Sequence, residues 1–277
     1  MRPLLPVLLM LAMLGCDQID NPGLVETGPA LPGGSTTTRN VLLEDCTGFQ
    51  CTNCPAAAQQ AEVLKGIYGD RLVVVGVHMG HFAEPNGPNY TTDFRTPAGN
   101  EYRTTFGINF YPAGLVSRVP YLGASGLAMG SWSSAVANLI DQPADMDVWL
   151  EPLTYNDAGN TVSGAVKVAI LRAFNGPHNL TLYLTEDHVI DWQLDGNTHV
   201  EHYDHRHVLR AALNSTWGEE LIASSAQPGD TLELAFSYPL PANVLEPTNC
   251  AIVAYVYSTS GADQYAVKQV TERKFTP

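Results

Sequence analysis

Apolar and polar positions along the first part of the chain fall into blocks with different periods. VLLEDC, residues 41–46, is short and apolar-rich, as a strand should be. Its alternation puts Val41, Leu43 and Asp45 on one face and Leu42, Glu44 and Cys46 on the other. TGFQCTNC follows, and then PAAAQQAEVLKGIYGDR, whose alanines favour a helix. Pro55 stands just inside the helix start, where its missing N–H costs nothing. LVVVGVHM then runs apolar and β-branched with no polar face, the pattern of a strand buried on both sides. Strand, helix and strand make one βαβ unit.

Residues 80–96 hold Pro85, Gly87, Pro88 and many polar side chains, which predicts a loop longer than most connections. Thr96 is placed to cap a helix that opens at Pro97 and covers AGNEYRTTF. In INFYPAGLVSR, Pro112 marks the start of an apolar strand, because proline cannot donate to a sheet ladder. Residues 119–122 would pair back on it. SWSSAVANLI, residues 131–140, places Trp132, Val136, Leu139 and Ile140 on one helical face.

Gln142, Pro143 and Ala144 read as a linker, and from Asp147 the period becomes two. Val162, Gly164, Val166, Val168 and Ile170 share a face, as do Leu180, Leu182 and Leu184, and Leu232, Leu234 and Phe236. Turn residues separate these runs at 156–159, 175–177, 228–230 and 260–263, and residues 251–258 and 264–271 flank the last turn as a hairpin. About seven strands in about 130 residues suggest an immunoglobulin-like sandwich. The pattern thus predicts an α/β domain over 41–142 and an all-β domain over 146–277.

The first residues add a targeting segment: Arg2, an apolar run over 4–14, then Gly15 and Cys16. Eleven residues are too few to span a bilayer as a helix. MLGC at 13–16 resembles a bacterial lipobox, in which Cys16 becomes the lipidated first residue; Met13 stands where Leu is usual. A plain signal peptide cut elsewhere is the other reading. Acylation of Cys16 would anchor the chain to a membrane. Residues 17–40, rich in Gly, Pro, Thr and Ser, would be a flexible tether. The chain carries 28 acidic against 14 basic residues, a net charge of −14. That balance argues against nucleic acid and against anionic membrane surfaces as partners.

Export implies an oxidising compartment. Cys51 and Cys54 fall where the first strand meets the helix, the place of a redox pair. A helix start offers free N–H groups and partial positive charge, both of which lower a thiol pKa. Cys51 is then expected as the exposed nucleophile and Cys54 as the resolving thiol. Cys46 and Cys250 read as two buried free thiols.

The order β-α-β-α-β-β-α over residues 41–141 resembles the thioredoxin fold. That resemblance implies that Pro112 is a cis-proline facing the cysteine pair. It also implies that Asp45, six residues before Cys51, is the buried acid that relays a proton to the resolving thiol. Gln50 replaces the usual Trp, and Thr52-Asn53 replaces Gly-Pro, so potential and partner choice do not carry over. LLEDCTGFQCTNCP, FYPAGLVSR and HRHVLRAALNSTWGE, in that order, resemble the Omp28-related outer membrane lipoproteins. This implies a thioredoxin-like first domain, a β-rich second domain and an outer-membrane location.

His199, His202, His205 and His207 crowd one segment with Glu201 and Asp204, but not at a helical zinc spacing. The segment reads as a polar loop entering the strand HVLRAAL, with Arg210 and Trp217 as packing residues and His78 and His81 in another loop. No metal site or cofactor is implied, and no Gly-rich phosphate loop, HExxH or GxSxG occurs.

Two functions remain open. In one, a lipid-anchored envelope protein exchanges thiols and disulfides on exported proteins. Cys51 attacks, Cys54 resolves, Pro112 shapes the substrate groove and Asp45 assists proton transfer. In the other, a binding or structural lipoprotein keeps the scaffold, the pair is a staple, and the β domain docks envelope partners. A buried Cys51 would favour the second.

Overall fold

A computed structural model describes residues 38–275. The targeting segment, Cys16 and residues 17–37 of the expected tether lie outside the described residues. The first half contains β1 (Val41–Thr47), α1 (Cys54–Tyr68), β2 (Leu72–His78), α2 (Pro97–Thr105), β3 (Ala113–Val116), β4 (Leu127–Ala128) and α3 (Trp132–Ile140). The second half is strands joined by turns. It begins with β5 (Met146–Leu150), β6 (Thr154–Asn156), β7 (Thr161–Ile170), β8 (Phe174–Asn175) and β9 (His178–Glu186). It continues with β10 (Val189–Asp195), β11 (Thr198–His205), β12 (Val208–Ala212), β13 (Glu219–Ile222) and β14 (Ser225–Ala226). It ends with β15 (Thr231–Pro239), β16 (Cys250–Ser258) and β17 (Val267–Lys274).

The helices form where the local chemistry provides for them. Pro55 lies in the first turn of α1, and the helix stops before Gly69. Thr96 caps α2, its hydroxyl accepting from the Gly99 N–H at 3.0 Å. Residues 119–122 do not pair with β3 as expected; β4 does, after a small loop closed by Tyr121 and Ala124.

β1 and β2 run parallel, and β3 pairs antiparallel on the other side of β1. The largest sheet has the order β17-β16-β9-β12-β2-β1-β3-β4, so strands from both halves share it. The joint is β12, which lies parallel to β2 with Val208 beside Gly76. β2 is buried along its whole length. An apolar strand of that kind cannot end a sheet in water, and β12 covers its open edge.

The expected sandwich is therefore not free-standing. A second sheet of β5, β7 and β15, with β6 beside β7, faces β9 and β16 across Val148, Val166, Val168, Leu182, Leu184 and Ile252. One of the two facing sheets runs on into the α/β half. Both sheets are open and the protein is mostly β. The final hairpin also starts its return strand at Val267, later than expected, because residues 259–266 are taken up by the turn.

The alternation of β1 sorts the core. Val41 and Leu43 pack with α1 and α3, through Ala57, Leu64, Trp132 and Val136. Leu42 and Cys46 pack on the other face with Tyr102 of α2 and with Tyr183 and Tyr255. Residues 38–40 are pinned, not loose: the Arg39 N–H donates to Gln142 O, and Asn40 binds Gln269 and Val270 of β17.

Candidate functional site

Cys51 and Cys54 are joined by a disulfide, with Cα atoms 5.4 Å apart. Cys54 opens α1, and Cys51 sits in the turn before it, its N–H donating to Gly48 O at 3.0 Å. Gly48 is required by crowding: a Cβ there would stand 2.6 Å from the Phe82 backbone. The Tyr111–Pro112 peptide is cis and precedes Ala113, which pairs with Cys46 of β1. Tyr111 meets Phe82 edge-on, with ring centroids 5.7 Å apart.

Cys51 is 2 % exposed, not the open nucleophile that its position suggests. The cover is the β10–β11 hairpin. Leu194 N–H donates to Phe49 O at 2.8 Å, and Gly196 N–H donates to Thr52 O at 2.9 Å. Buried Gln193 donates its side-chain amide to Cys51 O at 3.2 Å. Gly196 has φ +58 in the hairpin turn, a conformation that favours glycine. Beneath, Phe49 stacks on Tyr90 at 5.2 Å and meets Phe94 at 5.7 Å, with Trp192 and Leu194 packed against this cluster. The 80–96 loop thus contributes an apolar plug, and the hairpin adds a strand bonded to the Cys51 turn.

Behind the disulfide lies a cavity of about 550 Å³, between α1 and the hairpin. Cys54, Asp45, His78, Gln193 and Tyr203 are in its wall. Asp45 is 4 % exposed and fully inside the fold, and burial raises its carboxyl to about 7. Its Oδ1 has no hydrogen-bond partner among the described residues, nor has His78 Nδ1. Burial drives the His78 imidazole well below its ordinary pKa, with His205 and Arg210 adding to the shift, so it is neutral. Burial lowers His205 to about 4.

The histidine-rich segment is not the expected loop. Residues 198–205 form β11, and His207 opens the turn into β12. His205 and His207 are buried; His207 Nε2 lies 2.9 Å from Glu62 and Nδ1 lies 3.3 Å from Asp187. His199 and His202 stay exposed. His78 is the buried last residue of β2, whereas His81 is exposed in a 3-10 turn. No group of three or more His, Cys, Asp or Glu side chains among the described residues is placed to hold a metal. Arg210 lies 3.1 Å from buried Glu186, and the Trp217 carbonyl accepts from Tyr257. Cys46 and Cys250 are free and buried.

One constellation escapes sequence reading altogether. On the face of β1 opposite Asp45, Glu44 takes two hydrogen bonds from Arg118, each 2.8 Å. Arg118 also donates to Tyr183 OH and lies 4.4 Å from the Tyr102 ring centroid and 5.2 Å from those of Phe106 and Tyr255. Burial opposes its charge, but Glu44 and the surrounding tyrosines outweigh that and hold its pKa well above normal. The available signal was a lone arginine ending the apolar strand AGLVSR.

These features define a β-rich protein with a covered Cys-x-x-Cys disulfide at a helix start. A family model described as outer membrane protein Omp28 matches residues 99–277, and the chain belongs to that family. The matched stretch includes Pro112 and the hairpin but begins after Asp45 and the cysteine pair. HBP35 of Porphyromonas gingivalis has a similar structure, with TM-score 0.66 and 18 % identity over 87 % of this chain and 77 % of that one. This likeness is one of fold. Spo0M of Bacillus subtilis matches more weakly, with TM-score 0.29 and 17 % identity over 48 % of each chain. No curated protein matches.

Proposed function

We propose that this chain is a cell-envelope binding protein in which the Cys51–Cys54 disulfide is a closed staple of a thioredoxin-like half. The observation that carries this reading is the burial of Cys51 under the β10–β11 hairpin, whose backbone bonds to residues 49 and 52. Disulfide exchange needs an attacking thiolate to reach a sulfur in line with the S–S bond. The hairpin and the Phe49 cluster cover the turn that carries Cys51. Membership of the Omp28 family supports the envelope location, with anchoring through a lipid on Cys16 as part of the proposal. The thioredoxin-like reading is supported by the parallel β1–β2 pair, the antiparallel β3, and α1 and α3 on one face with α2 on the other.

The test is thiol trapping on the native full chain with a mild reductant and an alkylating reagent. Cys51 and Cys54 should stay unmodified until denaturant is added, and insulin reduction should match that of Cys51→Ser. Rapid alkylation, with insulin reduction that Cys51→Ser abolishes, overturns the reading. Exchange with exported proteins is the second reading. It is favoured by one observation: Cys54 and Asp45, whose carboxyl burial raises to about 7, line the same cavity.

A further inference from the structure

The cavity behind the disulfide has a chemical bias that the closed staple does not use. At about 550 Å³ it falls within the range of small-molecule sites. Tyr203 stands in its wall, its phenol raised to about 12 by burial and then by the charges of Asp45, Asp195, Asp204 and Glu62. All four of those carboxylates are in the wall. The basic side chains on the rim of the wall already have acidic partners. Arg206 lies 3.1 Å from Asp204, and His207 is held between Glu62 and Asp187.

Asp45 is the exception. It lines the cavity, forms no ion pair among the described residues, is 4 % exposed, and its buried Oδ1 has no hydrogen-bond partner. His78, equally buried on the adjacent strand, is also in the wall, and burial keeps its ring neutral. Ala58, Ala61 and Val74 supply an apolar flank. An anion would meet Asp45 and Asp195, which have no ion-pair partner among the described residues, and a neutral alcohol would leave Asp45 uncompensated. An ammonium supplies both charge and several donors, and charge-assisted bonds of that kind are the strong ones. An alkyl stem would lie along the alanines.

We infer that the cavity between α1 and the β10–β11 hairpin binds a small alkylammonium, with Asp45 as its counter-ion. The inference names a ligand class for the binding reading and rests on it. The test titrates the n-alkylamines from methylamine to hexylamine, with their matched alcohols and carboxylates, into the oxidised full chain. Calorimetry at about pH 8 keeps both the amines and Asp45 ionised. At least one amine should bind saturably at one site, about tenfold or more tighter than its alcohol, and its carboxylate should not bind. Asp45→Asn should weaken it by about tenfold or more. Ala58→Phe, which fills the cavity and leaves the carboxylate in place, should do the same with circular dichroism and the disulfide unchanged. No saturable amine in the series, or either variant binding like wild type, overturns the inference. Failure here with an inert cysteine pair removes only the ligand class, whereas a reactive pair removes the binding reading itself.

Discussion

Glu44 and Asp45 are neighbours on β1 and project to opposite faces of the same sheet. Both are buried acids, yet their surroundings differ completely. Glu44 is met by a two-pronged guanidinium and by Tyr183 OH at 2.9 Å, and Tyr255 OH in turn donates to Tyr183. Asp45 meets no cation, and burial alone pushes it to about 7. Taking an ion from water costs several kcal/mol unless partners replace the hydration. On the Glu44 face both carboxylate oxygens are bonded and the guanidinium lies over aromatic rings, with Arg118 Nη1 left without a hydrogen-bond partner among the described residues, which is the mark of a structural pair. On the Asp45 face the counter-charge is missing, and a cavity adjoins it. A buried polar group left without a partner needs a reason, and the binding role inferred for the cavity is one.

The largest effect should come from breaking the compensated face. Arg118→Met leaves Glu44 buried without its counter-charge and should cost about 3–5 kcal/mol. Denaturant unfolding measures it. The double variant Glu44→Gln, Arg118→Met should recover much of that loss, because the stranded charge is gone. A loss below about 1 kcal/mol for Arg118→Met would mean that the pair is not compensating anything.

Asp45 should act with the opposite sense. Its folded pKa of about 7 lies above the ordinary 3.8. Below that ordinary value both states hold the proton, and no stability depends on it. Between the two values only the folded state does, so stability falls as pH rises through this window, by on the order of 4 kcal/mol in all. Buried His78 and His205 have lowered pKa values and oppose this trend below about 6.5, where the unfolded chain binds their protons. The clean quantity is therefore the difference between wild type and Asp45→Asn. The variant should gain on wild type steadily from about pH 4 to pH 7 in urea midpoints. Parallel profiles would place Asp45 in contact with solvent.

Local rules made the first half readable: the apolar β2 run, Pro55 in the first turn of α1, the Thr96 cap and the two faces of β1 all follow from short-range pattern. The position of the cysteines at a helix start is equally local. Their burial is not. It depends on β10 reaching back more than a hundred residues to bond the backbone at 49 and 52, and nothing in VIDWQLDGNTHV specifies that address. The same holds for β12. Its pairing with β2 joins two halves that composition separates, because a strand's partner is set by which edge needs cover. Glu44 and Arg118 are likewise 74 residues apart, so neither advertises the other.

The smallest effects offer the finest comparison, because each face of β1 has a tyrosine hydroxyl near its acid. Tyr183 OH accepts from Arg118 at 2.7 Å and donates to Glu44, so Tyr183→Phe strips a partner from each in a buried site. That change should cost about 1–2 kcal/mol. Tyr203 OH makes no hydrogen bond among the described residues, and Tyr203 lines the cavity. Tyr203→Phe should change stability by less than about 0.5 kcal/mol, as for a site that gives up nothing when a hydroxyl is lost. Both are read from the same urea titration. Equal losses would mean that the Tyr203 hydroxyl is bonded within the fold, and the two faces would then differ in charge alone and not in how fully their polar groups are satisfied.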